Sequence, residues 1–369
     1  MLRPQFYKYA EESEPIMYLL KTIPEDFIVT EISALKLKPA GKYLYFKLSK
    51  KNWNTLEAVK AIANNLNITE KQIGFAGSKD KQAITLQFCS VSGVSKERLL
   101  KVKIDGLKIE VVGYGDIPIS LGDLQGNSFE IVVRNLEPRN FERKTKPKII
   151  SSLPSVKYIP NYFDEQRFGK NNAAIGKQLL RKDFAEAITL LNLSQCNEYL
   201  ASRPHDFIGA LKLLPLRQLR LYLNAYQSWL WNETLAQYLQ KAGTAIGEIP
   251  YSQGKFVFSR ENFPGLEIPI IGFGTDLMDL EPGLREIIHK IMEKEDISFS
   301  DFIIKQIPTL TLEGERRKAL VEVQDLKIDP QEEDERHPGK RKVKLSFTLP
   351  KGSYATIVVK GMFLDFKIP

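Results

Sequence analysis

The sequence predicts an α+β protein in which a mixed, largely antiparallel sheet with flanking helices is interrupted by a helix-rich insertion. Three observations lead there. Strand-like segments gather toward both ends of the chain, helical periodicity fills the middle, and the repeating βαβ rhythm of a doubly wound sheet is missing.

The elements follow in order. DFIVTEI (26–32) and KYLYFKL (42–48) carry β-branched and aromatic residues at strand spacing. Asn54 then precedes Glu57 in an N-x-x-E variant of the capping box. Leu56, Val59, Ile62 or Ala63, and Leu66 continue at helical spacing, so a helix is expected to end near Asn67. AITLQFCSV (83–91), GLKIEVVGY (106–114) and SFEIVVR (128–134) read as further strands. NLEPRNFERKTKPK (135–148) is polar, basic and proline-containing, the composition of a loop or boundary.

Beyond it the period changes. Ala174–Leu191 shows an apolar stripe through Ile175, Leu179, Phe184, Ala187 and Leu191 and reads as a helical stretch. Leu216–Leu239 is a longer helical stretch, with Pro215 in the first-turn position that tolerates proline. Residues 243–275 are rich in Gly and Pro and predict loops and short strands. DPQEEDERHPGKRKVK (329–344), an acid block followed by a basic one, reads as a solvated hairpin tip or loop. The final LSFTLPKGSYATIVVKGMFLDF returns to strand character.

Bulk composition narrows the function classes. At 369 residues with 43% hydrophobic and 27% charged residues, the chain is long and apolar enough for one large domain or two. Lys and Arg (53) exceed Asp and Glu (45), a formal charge of +8 that suits a polyanionic partner, although a mildly basic protein has the same balance. Cys89 and Cys196 stand far apart and form no CxxC, which argues against a disulfide framework and for a reducing compartment. The opening MLRPQFYKYAEESEP has no apolar h-region and no apolar run is long enough to span a bilayer. A cytoplasmic protein without membrane contact is expected, and nothing demands more than a monomer.

His205, His289 and His337 lie in neither HExxH nor zinc-deaminase spacing, so no metal site is expected. GxSxG and GxxxxGK[ST] are missing, and the GFG at 272–274 lacks a third glycine and reads as a turn. The chemistry left to the chain is that of carboxylates, lysines and aromatics. IGFAGSKDKQAITLQFCSV (73–91) is the most informative stretch. Gly74 and Gly77 permit a tight turn, and Asp80 sits between Lys79 and Lys81 just before a strand. The flanking lysines are placed to favour the ionised carboxylate and to attract phosphate. By spacing alone, a Lys-Asp-Lys triplet also describes a surface turn.

The same segment resembles the signature of the tRNA pseudouridine synthase D (TruD) family, a G-[FY]-A-G-x-K-D-[RK] core. Further blocks occur in the family's order: PEDFIVTEI (24–32), GNSFEIVVRNL (126–136), IPNYFDEQRFG (159–169), AYQSWLWN (225–232) and LPKGSYATIVVK (349–360). They span nearly the whole chain. The resemblance implies a pseudouridine synthase sheet with a TruD-type insertion: a catalytic domain over 1–155 and 305–369, and an insertion domain over 156–304. It implies isomerisation of uridine at position 13 of tRNA, a reaction that imports no group and oxidises nothing, and so needs no cofactor.

Residue by residue, the resemblance places Asp80 on the nucleophilic aspartate and Lys21 on a lysine paired with it. Phe27 falls on an aromatic packed against the target base, Asn127 on an asparagine of the uridine pocket, and Tyr354 where relatives carry a Phe that sandwiches the base. Read as bare residues, Phe27 is equally a core residue, Lys21 a surface lysine and Asn127 a turn residue. Asp164 departs from the family's glycine, and Cys89 from a frequent aromatic. Arg167 is expected to pair with a carboxylate, and Trp229 and Trp231 to serve packing. Two rival classes stay open: a structured-RNA-binding protein without catalysis, and a nucleoside glycosidase.

Overall fold

Alternation of β-branched and aromatic side chains builds the first part of the chain into strands, and the computed structural model describes residues 18–138, 157–259, 261, 263 and 265–364. The expected loop at 135–148 therefore lies, from 139 onward, outside the described residues. Strands β1 (Phe27–Ile32) and β2 (Tyr43–Lys51) are followed by helix α1 (Thr55–Asn65), then β3 (Ile73–Phe75), β4 (Ile84–Ser92), the short α2 (Lys96–Leu100), β5 (Leu107–Gly115) and β6 (Gly126–Leu136). The capping box at α1 forms as its sequence dictates. Asn54 Oδ1 accepts from the Leu56 amide at 2.9 Å, and Asn67 leaves the helix in the left-handed region at φ 50°.

A second set of elements is helix-rich: β7 (Tyr158–Pro160), α3 (Asn172–Leu180), α4 (Phe184–Leu191), α5 (Ser194–Ser202), α6 (Phe207–Lys212), α7 (Leu216–Lys241), β8 (Ala245–Tyr251), β9 (Gly254–Ser259), β10 (Glu267–Ile270), α8 (Pro282–Glu295), β11 (Glu315–Lys318) and β12 (Leu320–Glu322). The chain closes with β13 (Gln324–Ile328), β14 (Glu332–Glu333), β15 (Arg341–Pro350) and α9 (Ala355–Met362).

The large sheet runs β13-β15-β6-β1-β4-β2-β5, with β14 beside β15 and β3 beside β4. Only β1 and β4 pair in parallel; the other pairs are antiparallel, which is the mixed, mostly antiparallel sheet that the sequence predicts. β4 borders β2 along its whole length, while its other edge meets β1 at Ile84–Leu86 and β3 at Cys89–Val91. The connection from β3 back to β4, residues 76–83, carries Asp80. α1 covers one face, burying Ala58, Val59, Ile62 and Ala63 against Leu44, Phe46 and Leu48 of β2.

Two compact units result. Among the described residues one comprises 18–138 and 322–355, the other 157–321 and 356–364. Within 305–364, residues 322–355 belong to the sheet unit.

One local expectation is refined and two need correction. Ala174–Leu191 is two helices, because Lys182 turns left-handed at φ 64° and Asp183 accepts from the Glu186 amide to start α4 afresh. The β-branched ATIVVKGM at the end of the chain is helical, since Ala355, Val358, Val359 and Met362 are buried along one helical stripe that outweighs strand propensity. In the charged segment 329–344, Asp334 is not solvated but 3% exposed, held by Arg134.

Candidate active site

Strand alternation sends Phe27, Val29 and Glu31 to one face of β1. Opposite them on β6 stand Ile131, Phe129 and Asn127. On the other side Val29 faces Thr85 of β4, and Thr85 faces Lys50 of β2. Direct cross-strand partners share a face, so Phe27, Glu31, Lys50, Thr85 and Asn127 all line one side of the sheet. Two of these are charged yet buried: Glu31 is 3% exposed and Lys50 1%.

Those charges hold the 76–83 connection against the sheet. Gln87 Nε2 donates to the Gly77 carbonyl at 3.3 Å, and the Lys79 amide donates to Thr55 Oγ1 at 2.9 Å. Lys79 Nζ lies 2.7 Å from Glu31 Oε2. Lys50 Nζ donates to three carbonyl oxygens, Asp80 at 2.6 Å, Trp53 at 2.7 Å and Lys79 at 3.2 Å. Burial pushes the Lys50 ammonium down to about 8, with nearby Asp80 working against that shift and Lys79 with it. Gly74 serves a close approach rather than a turn, because a Cβ there would lie 2.2 Å from the Ile119 carbonyl oxygen.

With its main chain fixed from below, Asp80 presents its carboxylate to Lys21, whose Nζ lies 3.1 Å from Oδ2. The same ammonium sits 4.2 Å from the centroid of the Phe27 ring, a cation–π contact. Lys21 reaches both from the left-handed region, φ 57°, uncommon for a residue with a Cβ. The pair remains open to solvent, with side-chain exposures of 19% for Lys21 and 28% for Asp80. Phe27 is not open: it is 2% exposed, its edge packed on Phe129 at 6.3 Å, and Lys21 covers its face. From behind, Arg134 donates to both oxygens of Asp26 at 2.8–2.9 Å and to Asp334 at 2.9 Å, pinning the residue that precedes Phe27.

The structure therefore brings Lys21, Phe27 and Asp80 into contact. Asn127 joins them on the face but not in the contact. Gly126 and Asn127 open β6 rather than form a turn, since a Cβ on Gly126 would meet the Leu349 carbonyl oxygen at 2.3 Å. Asn127 Oδ1 is buried and has no hydrogen-bond partner among the described residues, a position that costs about 1–3 kcal/mol unless a ligand completes it. Tyr354 stands half-buried four residues beyond Pro350, at the entry to α9. Among the described residues no group of three or more His, Cys, Asp or Glu is placed to share a metal ion.

Several expectations change here. Neither lysine flanking Asp80 pairs with it: Lys79 is taken by Glu31 and Lys81 by Glu57. Among the described residues Arg167 has no carboxylate partner; its Nε donates to Ser228 Oγ at 3.1 Å and its guanidinium lies over Phe163. Asp164 needs no glycine conformation, since its φ is −83°, and its carboxylate accepts from Thr356 and Lys360 of α9. Trp231 is fully buried and donates to the Ile268 carbonyl, and Trp229 donates to that of Gln253. Glu31 and Lys50 are the functional candidates the sequence reading passed over. Their signal was a charge at an inward position of an alternating strand, after Phe27 and Val29 in one case and Phe46 and Leu48 in the other.

Comparison with known proteins completes the identification. The sequence model of the family described as tRNA pseudouridine synthase D (TruD) matches residues 5–199 and 194–362. The tRNA pseudouridine synthase D of Aquifex aeolicus is 32% identical, over 93% of this chain and 97% of its own. A Methanococcus maripaludis protein assigned as tRNA pseudouridine synthase D 1 is 30% identical, over 92% and 97%. A crystal structure of the protein assigned as TruD in Methanosarcina mazei superimposes with a TM-score of 0.68 at 26% identity, covering 97% of this chain and 95% of that one. The fold is thus that of a TruD-type pseudouridine synthase, and the enzyme class is that of an isomerase. The chain belongs to the tRNA pseudouridine synthase D (TruD) family, with tRNA as the implied substrate.

Proposed function

We propose that Asp80 is the nucleophile of this tRNA pseudouridine synthase and that uridine 13 of tRNA is its target. The observation that carries the reading is the Lys21–Asp80 pair at 3.1 Å, set over the Phe27 ring on a face that also bears the unpartnered Asn127 Oδ1. Catalysis then belongs to the sheet unit. The reaction breaks the N1–C1′ bond, turns the uracil and rejoins it through C5, whose hydrogen leaves as a proton. An ionised carboxylate splits that difficult exchange into easier steps. Bound RNA excludes water from such a pocket, and a cation in contact favours a carboxylate's charged form there. That is the role given to Lys21.

The target base has to leave its stack at a cost of about a few kcal/mol. Stacking on an aromatic face returns about 1–3 kcal/mol. Tyr354 is the candidate for that face. Phe27 reaches the base only where Lys21 swings off its ring. Asn127 Oδ1, an acceptor, suits the N3–H of uracil. The excess of Lys and Arg, +8 overall, supports binding of a phosphate backbone. A monomer in a reducing, cytoplasmic setting completes the reading, supported by two buried thiols, Cys89 and Cys196, that form no disulfide.

The test incubates the protein with tRNA transcript tritiated at uracil C5. Wild type should release tritium, Asp80→Asn should release none while still binding tRNA, and a transcript with cytidine at position 13 should be inert. Full activity in Asp80→Asn overturns the nucleophile assignment. Free uracil among the products would point to a glycosidase, and binding without tritium release to an RNA-binding protein.

A further inference from the structure

Beneath the proposed nucleophile lies a second lysine with a different task. Lys50 is 1% exposed, on the inward face of β2, and among the described residues its ammonium has no carboxylate partner. Its three hydrogen-bond acceptors are main-chain oxygens. Two belong to consecutive peptide units, Lys79 and Asp80, and the third to Trp53 at the entry to α1. An ammonium has three donors and no acceptor, so three carbonyls saturate it. Burying that charge without a counter-ion is costly. A sheet could hold a turn with an uncharged donor at lower cost, and the presence of the charge calls for a reason.

The reason lies in the direction of the groups. Carbonyl oxygens drawn down onto Lys50 fix the peptide planes on either side of the Asp80 Cα, and those planes set where the side chain leaves the backbone. The Asp80 carboxylate then points to the opposite cation, Lys21 at 3.1 Å. One residue is gripped by two ammonium groups, through its backbone by Lys50 and through its side chain by Lys21. We propose that Lys50 is a positioning residue for the isomerisation, its ammonium orienting the Asp80 carboxylate through the carbonyls of Lys79 and Asp80. This rests on the assignment of Asp80 as nucleophile.

A pH dependence follows from the proton count. The charged groups around Lys50 are Asp80, which favours the ammonium, and Lys79, which opposes it. Of the remaining charges nearby in sequence, Lys51 is engaged by Glu25, and Glu57 of α1 by Lys81. Across the sheet stands the uncharged Thr85. Burial holds Lys50 at about 8. Above that pH the neutral amine keeps two donors for three carbonyls, and the grip on the Asp80 peptide loosens. Stability moves the other way. A lysine whose folded pKa lies below its unfolded value makes folding less favourable while it is charged, so its contribution improves as pH rises from about 8 toward the ordinary lysine range. Opposite trends in activity and stability separate positioning from a purely structural role.

The experiment compares wild type with Lys50→Met and Lys50→Arg in the C5-tritium assay, with tRNA binding measured in parallel. Misplacing a reacting group by about 1 Å costs about a hundredfold, so Lys50→Met should lose about that factor in kcat, with KM and tRNA affinity within about threefold. Lys50→Arg, which stays charged, should recover part of the rate and abolish the fall of kcat near pH 8. Hydrogen exchange read by mass spectrometry provides an arm on the unaltered protein. The Lys79 amide, bonded to Thr55 Oγ1, should lose protection above pH 8 after correction for intrinsic rates. Wild-type kcat in Lys50→Met, or Lys79 protection that is flat through pH 8, overturns the positioning role while Asp80→Asn remains inactive. An active Asp80→Asn instead overturns the assignment beneath it.

Discussion

Lys79 is covalently next to Asp80, yet its ammonium lies 2.7 Å from Glu31 Oε2 on the sheet below. The cation that Asp80 does meet, Lys21, is 59 residues away in sequence. Adjacency in the chain thus builds the support, and the fold supplies the electrostatic partner.

The Lys79–Glu31 pair makes a stability prediction. Both side chains are buried, at 7% and 0% exposure. Lys79→Met leaves the Glu31 carboxylate without its cation, and removing one partner of a buried pair costs about 3–5 kcal/mol. The double variant Lys79→Met with Glu31→Gln should recover a large part of that loss, because the glutamine oxygen still accepts from the Phe88 amide. Denaturant unfolding of the four proteins in a double-mutant cycle measures the coupling.

Lys21 should behave in the opposite sense. Its pair with Asp80 is partly exposed, and such pairs contribute at most about 1 kcal/mol to folding. Lys21→Met is expected to leave the unfolding midpoint nearly unchanged while lowering kcat about a hundredfold or more, the scale of losing a preorganised charge at a reacting centre. Lys21→Arg should restore part of the rate. Tritium release and thermal unfolding, measured on the same preparations, separate the two effects.

Arg134 sits between Asp26 and Asp334, with side-chain exposures of 4%, 1% and 0%. Arg134→Met should destabilise by about 3–5 kcal/mol, since it strands two carboxylates. Acid should act on the same cluster. Burial alone would raise Asp334, but the amides of Asn135 and Arg336, with His337 and Arg134, hold it well below the usual carboxylate range. A carboxyl depressed in the folded state stabilises above its unfolded pKa and loses that contribution as the pH falls. The stability difference between wild type and Asp334→Asn should therefore be full at neutral pH and shrink below about pH 4, the ordinary aspartate value. Urea midpoints across that range read it directly.

Much of the sheet was legible because alternation survives in β1, β2, β4, β5 and β6, and α1 announced itself through Asn54 and Glu57. The break at Lys182 was not, because the apolar stripe of Ile175, Leu179 and Ala187 carries across two helices as readily as along one. α9 was misread for a related reason. Strand propensity in ATIVV is local, whereas the burial that selects a helix comes from residues far along the chain. Asp80 and Lys21 of the candidate site were proposed through the family resemblance. Lys50 was hidden because its partners are carbonyl oxygens, which leave no mark on the identity of the residues that bear them.

The division of the chain into interleaved units carries a practical consequence. The sheet unit draws on 18–138 and again on 322–355, and the helix-rich unit reclaims 356–364 through Thr356 and Lys360 bonded to Asp164. Neither unit is a single uninterrupted stretch of the chain. No truncation from one end leaves one unit of this enzyme whole and alone, and isolating either would require splicing its separate stretches with a new linker.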